Sequence, residues 1–237
     1  MTQVGKGARE RIAMVITDWN DRECPGARLL EQGAASLSDA ELVALMLHTG
    51  YRGCSAVELA RDLLVRLNGL RGLLRASQQS LLAIPGIGPA KCARLRAAPE
   101  LAKRQAMARL CSGDVMGNPA DTRHFLQLHL GGHGREVFSC LFLDSQHRVL
   151  RCDDLFFGTL DGAAVYPREV ALRALQSAAA AVIFAHNHPS GVSEPSTADR
   201  QITQRLQQAL ALLDIRVLDH IIVGSGTTYS FAEHGLL

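Results

Sequence analysis

The segment AVIFAHNHPSG, residues 181–191, decides the fold of the second half of the chain, because a short apolar run leads directly into two histidines. The run 181–185 has the length and composition of a buried β-strand. Side chains two residues apart on a strand point to the same face. His186 and His188 are therefore predicted to emerge together at the end of this strand.

A carboxylate eleven residues beyond His188 completes the pattern. Ser196 and Asp199 have the spacing of a capping box at the start of a helix. An aspartate at the third position of that helix can turn back towards the two imidazoles. Two imidazoles and one carboxylate make a three-ligand zinc site with a fourth position for water, which is the layout of hydrolytic zinc sites and not of structural ones.

Each part of this pattern also has a simpler interpretation. Single histidines are usually surface residues or hydrogen-bonded core residues, and a capping box needs no metal. The presence of both histidines, a Pro-Ser-Gly turn and a helix-start carboxylate within fourteen residues favours the metal site. The contiguous letters His-Asn-His are not the HNH nuclease motif, whose residues are spread over a ββα unit.

The composition is typical of a globular protein and excludes a membrane span. The chain has 237 residues, enough for one large or two modest domains, with 47% hydrophobic and 20% charged residues. No apolar run approaches the roughly 18 residues that cross a bilayer, and charges near the start exclude a signal-peptide core. The six cysteines show no CxxC spacing, so reduced thiols and a cytoplasmic location are expected.

The charges are unevenly distributed. Residues 1–112 hold 16 Lys and Arg against 10 Asp and Glu, whereas residues 113–237 hold 9 against 13. A basic half favours an anionic partner such as nucleic acid. The basic residues also alternate with acids along predicted helices, so a solvated helix surface is the alternative.

The periodicity of the sequence predicts an all-helical domain, residues 1–112, followed by a mixed α/β (α+β) domain, residues 115–237. In the first, Ser38 and Ser55 begin capping boxes, and Pro99 is expected to kink the last helix or to start a new one. Residues 111–119 are the predicted linker. In the second, predicted strands at 136–143, 149–157, 181–185, 215–223 and 227–231 are interspersed with helices at 167–179 and 196–212.

The sequence IPGIGPAK, residues 84–91, lies between two predicted helices and resembles a helix-hairpin-helix motif. Gly86 and Gly88 would let backbone N–H groups approach a phosphate, and the following helix N-terminus adds a favourable dipole. Lys91, with Arg94 and Arg96, would supply counter-charge, so DNA contact without sequence recognition is predicted. A tight turn that serves only helix packing is the alternative.

The chain resembles one family over residues 17–237. The spacing His186-x-His188, seven residues, Ser196, two residues, Asp199 matches the JAMM (MPN-domain) metalloprotease motif. The Pro-Ser-Gly after it, FFGTL at 156–160 and YPREV at 166–170 are similar to the bacterial RadC branch of that family, the UPF0758 type. The helical first half is also similar to the domain that precedes the JAMM domain in RadC proteins.

This resemblance implies a cytidine-deaminase-like JAMM/MPN domain that holds one Zn²⁺ per chain. The zinc ligands would be His186, His188 and Asp199. Ser196 would help to hold the tetrahedral intermediate of an acyl-transfer reaction. The family also uses an upstream glutamate as general base, and Glu136 fits best because it opens a strand after a helix.

Glu169 is the rival for the general base, since it lies nearer to the histidines in sequence. It falls near the start of a predicted helix, where an acid is stabilised by the helix dipole without any catalytic role. A surface glutamate at a strand edge is the corresponding alternative for Glu136. The base would accept a proton from the attacking water and return it to the leaving amine.

Two functions remain open. The first is a zinc-dependent hydrolase, a JAMM-type metallopeptidase that cuts an amide or isopeptide bond in a protein or peptide. The second is a DNA-binding accessory protein in repair or recombination, in which the zinc site is structural or vestigial. The chain departs from RadC proteins at residues 24–28, CPGAR, where a basic stretch is usual, and Met14 is expected to be the true initiator because the resemblance begins after it.

Overall fold

The structure is a computed structural model that describes residues 24–112, 115, 118–158 and 165–237. Met14, and residues 113–114 and 116–117 of the predicted linker, lie outside the described residues. The chain divides into two compact units, one ending at Glu100 and the other beginning at Leu101. Within the described residues, none of the helices has the length and apolar content that a membrane span requires.

The first unit is helical in every described regular element. Its helices are α1 (Pro25–Gln32), α2 (Asp39–Leu47), α3 (Ala56–Arg66), α4 (Leu70–Arg75), α5 (Gln78–Leu82) and the first part of α6 (Pro89–Ser112), with a 3-10 turn at Ala34–Ser36. Both predicted capping boxes are confirmed, because Ser38 and Ser55 each accept a hydrogen bond from the backbone of the glutamate three residues later. The unit has its own core, in which Ala44, Leu47 and Leu63 are fully buried.

Pro99 lies in the interior of α6 and does not end it. Of the two expectations for this residue, a new helical segment is therefore wrong. The proline ring removes one N–H donor from the ladder, but the hydrogen bonds of the neighbouring turns continue the helix on both sides.

The second unit is built on a five-stranded mixed sheet, which confirms the predicted α+β class. Its elements are α7 (Pro119–Leu130), β1 (Val137–Leu143), β2 (Val149–Phe157), α8 (Pro167–Gln176), β3 (Ala181–Asn187), α9 (Thr197–Ala211), β4 (Arg216–Val223) and β5 (Thr228–Ser230). The strand order is β2-β1-β3-β4-β5, with β3 and β4 parallel and the other pairs antiparallel. The long connection through α9 allows the parallel pair.

The sheet separates two apolar clusters. Ile183 and Ala185 of β3 belong to the cluster that contains α7, whereas Val182 and Phe184 belong to the cluster that contains α8 and α9. Both β1 and β3 are buried along their whole length, as expected for strands covered on two faces. This alternation decides the face to which each later residue of β3 points.

Candidate metal centre

The two histidines leave β3 on the face that carries α9. His186 continues the series Val182, Phe184, and His188 lies two residues further along. The strand is held in place on both sides, since Phe138 of β1 pairs with His186, and the backbone N–H of His188 donates to the carbonyl of Val223 at 3.0 Å. The strand runs two residues further than the predicted 181–185, and both imidazoles lie on one side, as predicted.

Asp199 reaches these imidazoles from the first turn of α9. Ser196 is the N-cap of this helix, and its side chain accepts a hydrogen bond from the backbone N–H of Asp199 at 3.1 Å. The Asp199 carboxylate in turn accepts from the Ser196 backbone and from its hydroxyl, both at 2.7 Å. The capping box thus fixes the carboxylate on the side of the helix that faces β3.

These three side chains form what we call the metal centre: Nε2 of His186, Nε2 of His188 and the carboxylate of Asp199. The two Nε2 atoms are 2.9 Å apart, and they lie 3.2 Å and 3.5 Å from the two oxygens of Asp199. Two ligands of a tetrahedral zinc, each at about 2.0–2.1 Å, lie about 3.3–3.4 Å apart. The spacing of the donor atoms therefore fits a zinc ion after shifts of a few tenths of an ångström.

The ligand atoms of the metal centre are of the kind that bind a cation. The Nδ1 of His188 is 2.8 Å from the carbonyl oxygen of Val192, which can only accept, so Nδ1 carries the proton and the neutral ring presents a lone pair at Nε2. This lone pair and the Asp199 carboxylate point to one place. Within the described residues, His186, His188 and Asp199 are the one group of three such side chains whose ligand atoms come this close together.

The electrostatics of the metal centre agree with a site for positive charge. Burial pushes the pKa of Asp199 upwards, but its bonds to His186, His188 and Ser196 outweigh burial and hold that pKa far below its ordinary value. Asp199, and more weakly Glu136, raise the pKa of His188 above its ordinary value, against the opposing effect of burial. The charges of Asp199 and Glu136 therefore favour positive charge at this place.

His220 and Thr203 complete the buried side of the centre, and the sequence analysis missed both. His220 of β4 is fully buried, and its Nε2 lies 2.8 Å from Nδ1 of His186. Thr203, one turn after Asp199 on α9, lies 2.6 Å from the other nitrogen of His220. Burial lowers the pKa of His220 well below its ordinary value, so the ring is neutral. β4 also holds Arg216 and Asp219, so no pattern in this strand marked His220 as part of a site.

Glu136 directly precedes β1, the strand that pairs with His186 through Phe138. Its backbone carbonyl accepts from Gly158, and its charge acts on His188, while its side chain is only partly buried. The side chain of Asn187, between the two histidines, bonds to the backbone on both sides of Glu136. It accepts from the N–H of Val137 at 2.8 Å and donates to the carbonyl of Arg135 at 3.0 Å.

The other predicted catalytic residues lie as follows. The Ser196 hydroxyl donates to the Asp199 carboxylate, so its proposed role towards a tetrahedral intermediate stays a prediction. Glu169, the rival base, lies exposed in the first turn of α8, 3.3 Å from the side chain of Arg168.

The metal centre is closed on one side and open on the other. His186 is 2% exposed at its side chain, whereas His188 is 19% and Asp199 12% exposed. Gly191, with φ of +87°, brings the loop after His188 against the β4–β5 turn, where a Cβ would lie 2.5 Å from Oγ of Ser225. Access to the centre is therefore from the side of His188.

Lys91, at the end of the hairpin of residues 84–91, and Arg94 after it bond to backbone carbonyls of the helical unit. The Lys91 amine donates to the carbonyls of Gly50 and Gly86, both at 3.0 Å, and Arg94 donates to the carbonyl of Leu47 at 3.2 Å. Burial lowers the pKa of Lys91 from its ordinary value. DNA contact by Gly86, Gly88 and Lys91 stays a prediction, and these bonds favour the packing alternative.

Two family models match the two halves of the chain separately. The break between them, residues 94–115, includes the boundary of the two units at residues 100 and 101. A family model described as a RadC-like JAB domain matches residues 116–236, and one described as UPF0758 N-terminal matches residues 16–93. The chain is 56% identical to a UPF0758 protein of Nitrosococcus oceani and 54% identical to one of Aeromonas hydrophila. Each match covers 94% of this chain and 100% of the relative.

Proposed function

We propose that this chain, which belongs to the UPF0758 family and carries a RadC-like JAB domain, is a zinc-dependent hydrolase that cuts an amide or isopeptide bond. The observation that carries the proposal is the convergence of two imidazole nitrogens and one carboxylate on a half-open centre. When bound, Zn²⁺ would supply a water of lowered pKa and polarise a carbonyl group. One ion per chain is proposed, held by His186, His188 and Asp199.

Glu136 is the proposed general base. It lies outside the ligand set, yet close enough for its charge to raise the pKa of His188. A carboxylate in this place would accept a proton from the attacking water and return it to the leaving amine. A purely structural site has no need of such a group, and structural zinc sites are closed by four protein ligands.

Ser196 is the proposed partner of the developing oxyanion. Its hydroxyl and backbone N–H lie beside the Asp199 carboxylate at the start of α9. Loss of one oxyanion donor costs on the order of 3 kcal/mol in transition-state stabilisation in known enzymes. The same residue also caps the helix, so a Ser196 variant would change both the catalytic group and the position of a ligand.

A protein or peptide substrate is proposed from the surroundings of the open side. Val192, 56% exposed, lies in the loop after His188, and its carbonyl oxygen is 2.8 Å from Nδ1 of His188. An exposed apolar side chain beside a half-open site suits the side chains of a polypeptide. The cytoplasm remains the proposed location, in keeping with six free cysteines.

The test compares cleavage of a peptide library by the wild-type chain and by Glu136→Gln, with new N-termini identified by mass spectrometry. We expect cleavage by the wild type with zinc and none by Glu136→Gln, although the variant keeps its zinc. Glu169→Gln is the matched control, because it removes the rival carboxylate, and it should cut like the wild type. Unchanged cleavage by Glu136→Gln would refute the assignment of the base.

A further inference from the structure

We infer that Thr203 and His220 set which nitrogen of His186 carries its proton, so that Nε2 presents a lone pair to the metal centre. The two residues are positioning residues, since neither contacts the metal position. This inference rests on the proposed metal site but not on the proposed hydrolysis. It concerns a chain of three hydrogen bonds that joins α9, β4 and β3.

The chain of hydrogen bonds begins at the backbone of a metal ligand. The Thr203 hydroxyl donates to the carbonyl of Asp199 at 2.6 Å and lies 2.6 Å from Nδ1 of His220. Nε2 of His220 then lies 2.8 Å from Nδ1 of His186. All three side chains are buried, with Thr203 1%, His220 0% and His186 1% exposed.

The protons of this chain can be counted. A hydroxyl has one proton, and that of Thr203 goes to the Asp199 carbonyl, so towards His220 its oxygen can only accept. Nδ1 of His220 is therefore the N–H that donates to Thr203. Because a neutral imidazole has one N–H, Nε2 of His220 must accept, and the donor opposite it is Nδ1 of His186.

This arrangement of protons determines which nitrogen of His186 is free to bind a metal. With its proton at Nδ1, His186 turns an unprotonated Nε2 towards His188 and Asp199, which is the form that binds a metal. The reverse arrangement, with the hydroxyl turned to His220, would place the His186 proton on Nε2. That proton would lie between the ligands and would have to be removed before a metal could bind.

The aromatic surroundings of His220 prevent other arrangements of the ring. Phe231 stacks on it with ring centroids 4.8 Å apart, and Phe138 and Phe184 lie at 5.6 Å and 6.0 Å. These neighbours offer no hydrogen-bond partner, so among the described residues the ring nitrogens bond to Thr203 and His186. A pair of apolar side chains would fill the same space without the cost of burying polar groups, and it would leave the tautomer of His186 undetermined.

The test uses Thr203→Val, which keeps the shape of the side chain but removes the acceptor, with Thr203→Ser as the matched control that keeps the hydroxyl. Zinc affinity is measured by competition with a chromophoric chelator, and the tautomers of His186 and His220 by two-bond ¹H–¹⁵N correlation NMR. We expect His220 to move its proton to Nε2 in Thr203→Val, and zinc to bind about 10–100-fold more weakly. Thr203→Ser should keep the wild-type tautomers and affinity.

The NMR spectrum distinguishes this role from simple packing, because a residue that only fills space would not move a tautomer. Wild-type tautomers together with wild-type zinc affinity in Thr203→Val would overturn the inference. If that variant does not fold, the wild-type spectrum decides: a proton on Nδ1 of His186 and of His220 supports the inference, and one on Nε2 of either overturns it. A chain with these tautomers that binds zinc but cuts no peptide would contradict the hydrolase proposal alone.

Discussion

The metal centre and the hairpin of residues 84–91 both drew attention in the sequence because polar side chains are concentrated there, but the fold uses them differently. At the hairpin, Lys91 and Arg94 are bonded to backbone carbonyls of their own unit. At the metal centre, His186 and His188 turn ring nitrogens towards each other at 2.9 Å. Polar groups that hydrogen-bond one another stabilise the fold, whereas two imidazole nitrogens and a carboxylate that converge on one point are the arrangement that binds a cation.

The largest effect should come from removal of a proposed ligand. His188→Ala removes one of three metal donors, so bound zinc, measured by elemental analysis, should fall from one per chain to near zero. The control is His124→Ala, which removes an exposed histidine of α7 outside the centre. A His188→Ala chain that still holds one zinc, or an equal loss in His124→Ala, would mean that the metal binds elsewhere.

The second effect tests whether Lys91 belongs to the fold or to a nucleic-acid surface. Lys91→Met keeps the apolar stem but leaves the carbonyls of Gly50 and Gly86 without their donor, which should lower the free energy of unfolding by about 1–3 kcal/mol. Urea unfolding measures this loss. Arg96→Met, at an exposed position of the same helix, should change stability little.

The opposite result would mean that Lys91 binds nucleic acid instead of stabilising the helical unit. If Lys91→Met unfolds like the wild type but loses salt-dependent DNA binding, then the amine serves a phosphate and the helix-hairpin-helix prediction stands. The assay is fluorescence anisotropy with a DNA duplex at low and moderate salt.

The third effect is a dependence of zinc affinity on pH. Asp199 raises the pKa of His188 above its ordinary value of 6.5, so the metal-free chain keeps a proton there that zinc must displace. Since one proton leaves for each zinc bound, affinity should fall about tenfold for each pH unit below the raised pKa and level off above it. Chelator competition between pH 5 and pH 8 measures the slope.

The same shift affects the stability of the metal-free chain. A folded-state pKa above the unfolded one stabilises the fold at low pH, and this contribution is lost as pH rises through the folded value. His188→Gln should remove that part of the pH dependence of the melting temperature. An identical pH dependence in the variant and the wild type would show that His188 is not the titrating group.

The smallest effect is the difference in stability between alanine substitutions at the two glycines of the hairpin. Gly86 has φ of +90°, and a Cβ there would lie 2.8 Å from Cβ of Tyr51, so Gly86→Ala should cost about 1–2 kcal/mol or more. Gly88 has open space around its Cβ position, and Gly88→Ala should stay within about 0.5 kcal/mol. Loss of DNA affinity in the stable Gly88→Ala variant would favour a phosphate site over a packing turn.

The sequence predicted those features that depend on neighbouring residues. The strand before His186, the capping box that holds Asp199 and the capping boxes at Ser38 and Ser55 are local patterns with a direct physical cause. Their bounds in the structure lie close to the predicted ones. The family resemblance supplied the candidate base, which local patterns alone would have left open.

The features that the sequence did not predict depend on which strands are neighbours. His220 reaches His186 because β4 lies parallel to β3, a pairing between residues more than thirty positions apart. Lys91 reaches Gly50 across 41 residues of helical chain. Neither contact produces a periodicity or a residue spacing that can be recognised in the sequence. Each can be identified only from the pairing and packing of the elements in the fold.

The most direct test of the proposed metal centre is X-ray absorption at the zinc edge of the loaded chain. We expect a four-coordinate ion with two imidazole nitrogens and two oxygens at about 2.0–2.1 Å, one oxygen from Asp199 and one from water. Sulfur at about 2.3 Å would place the ion at cysteines, and fewer than two imidazoles would separate it from His186 and His188. Either result would contradict the account.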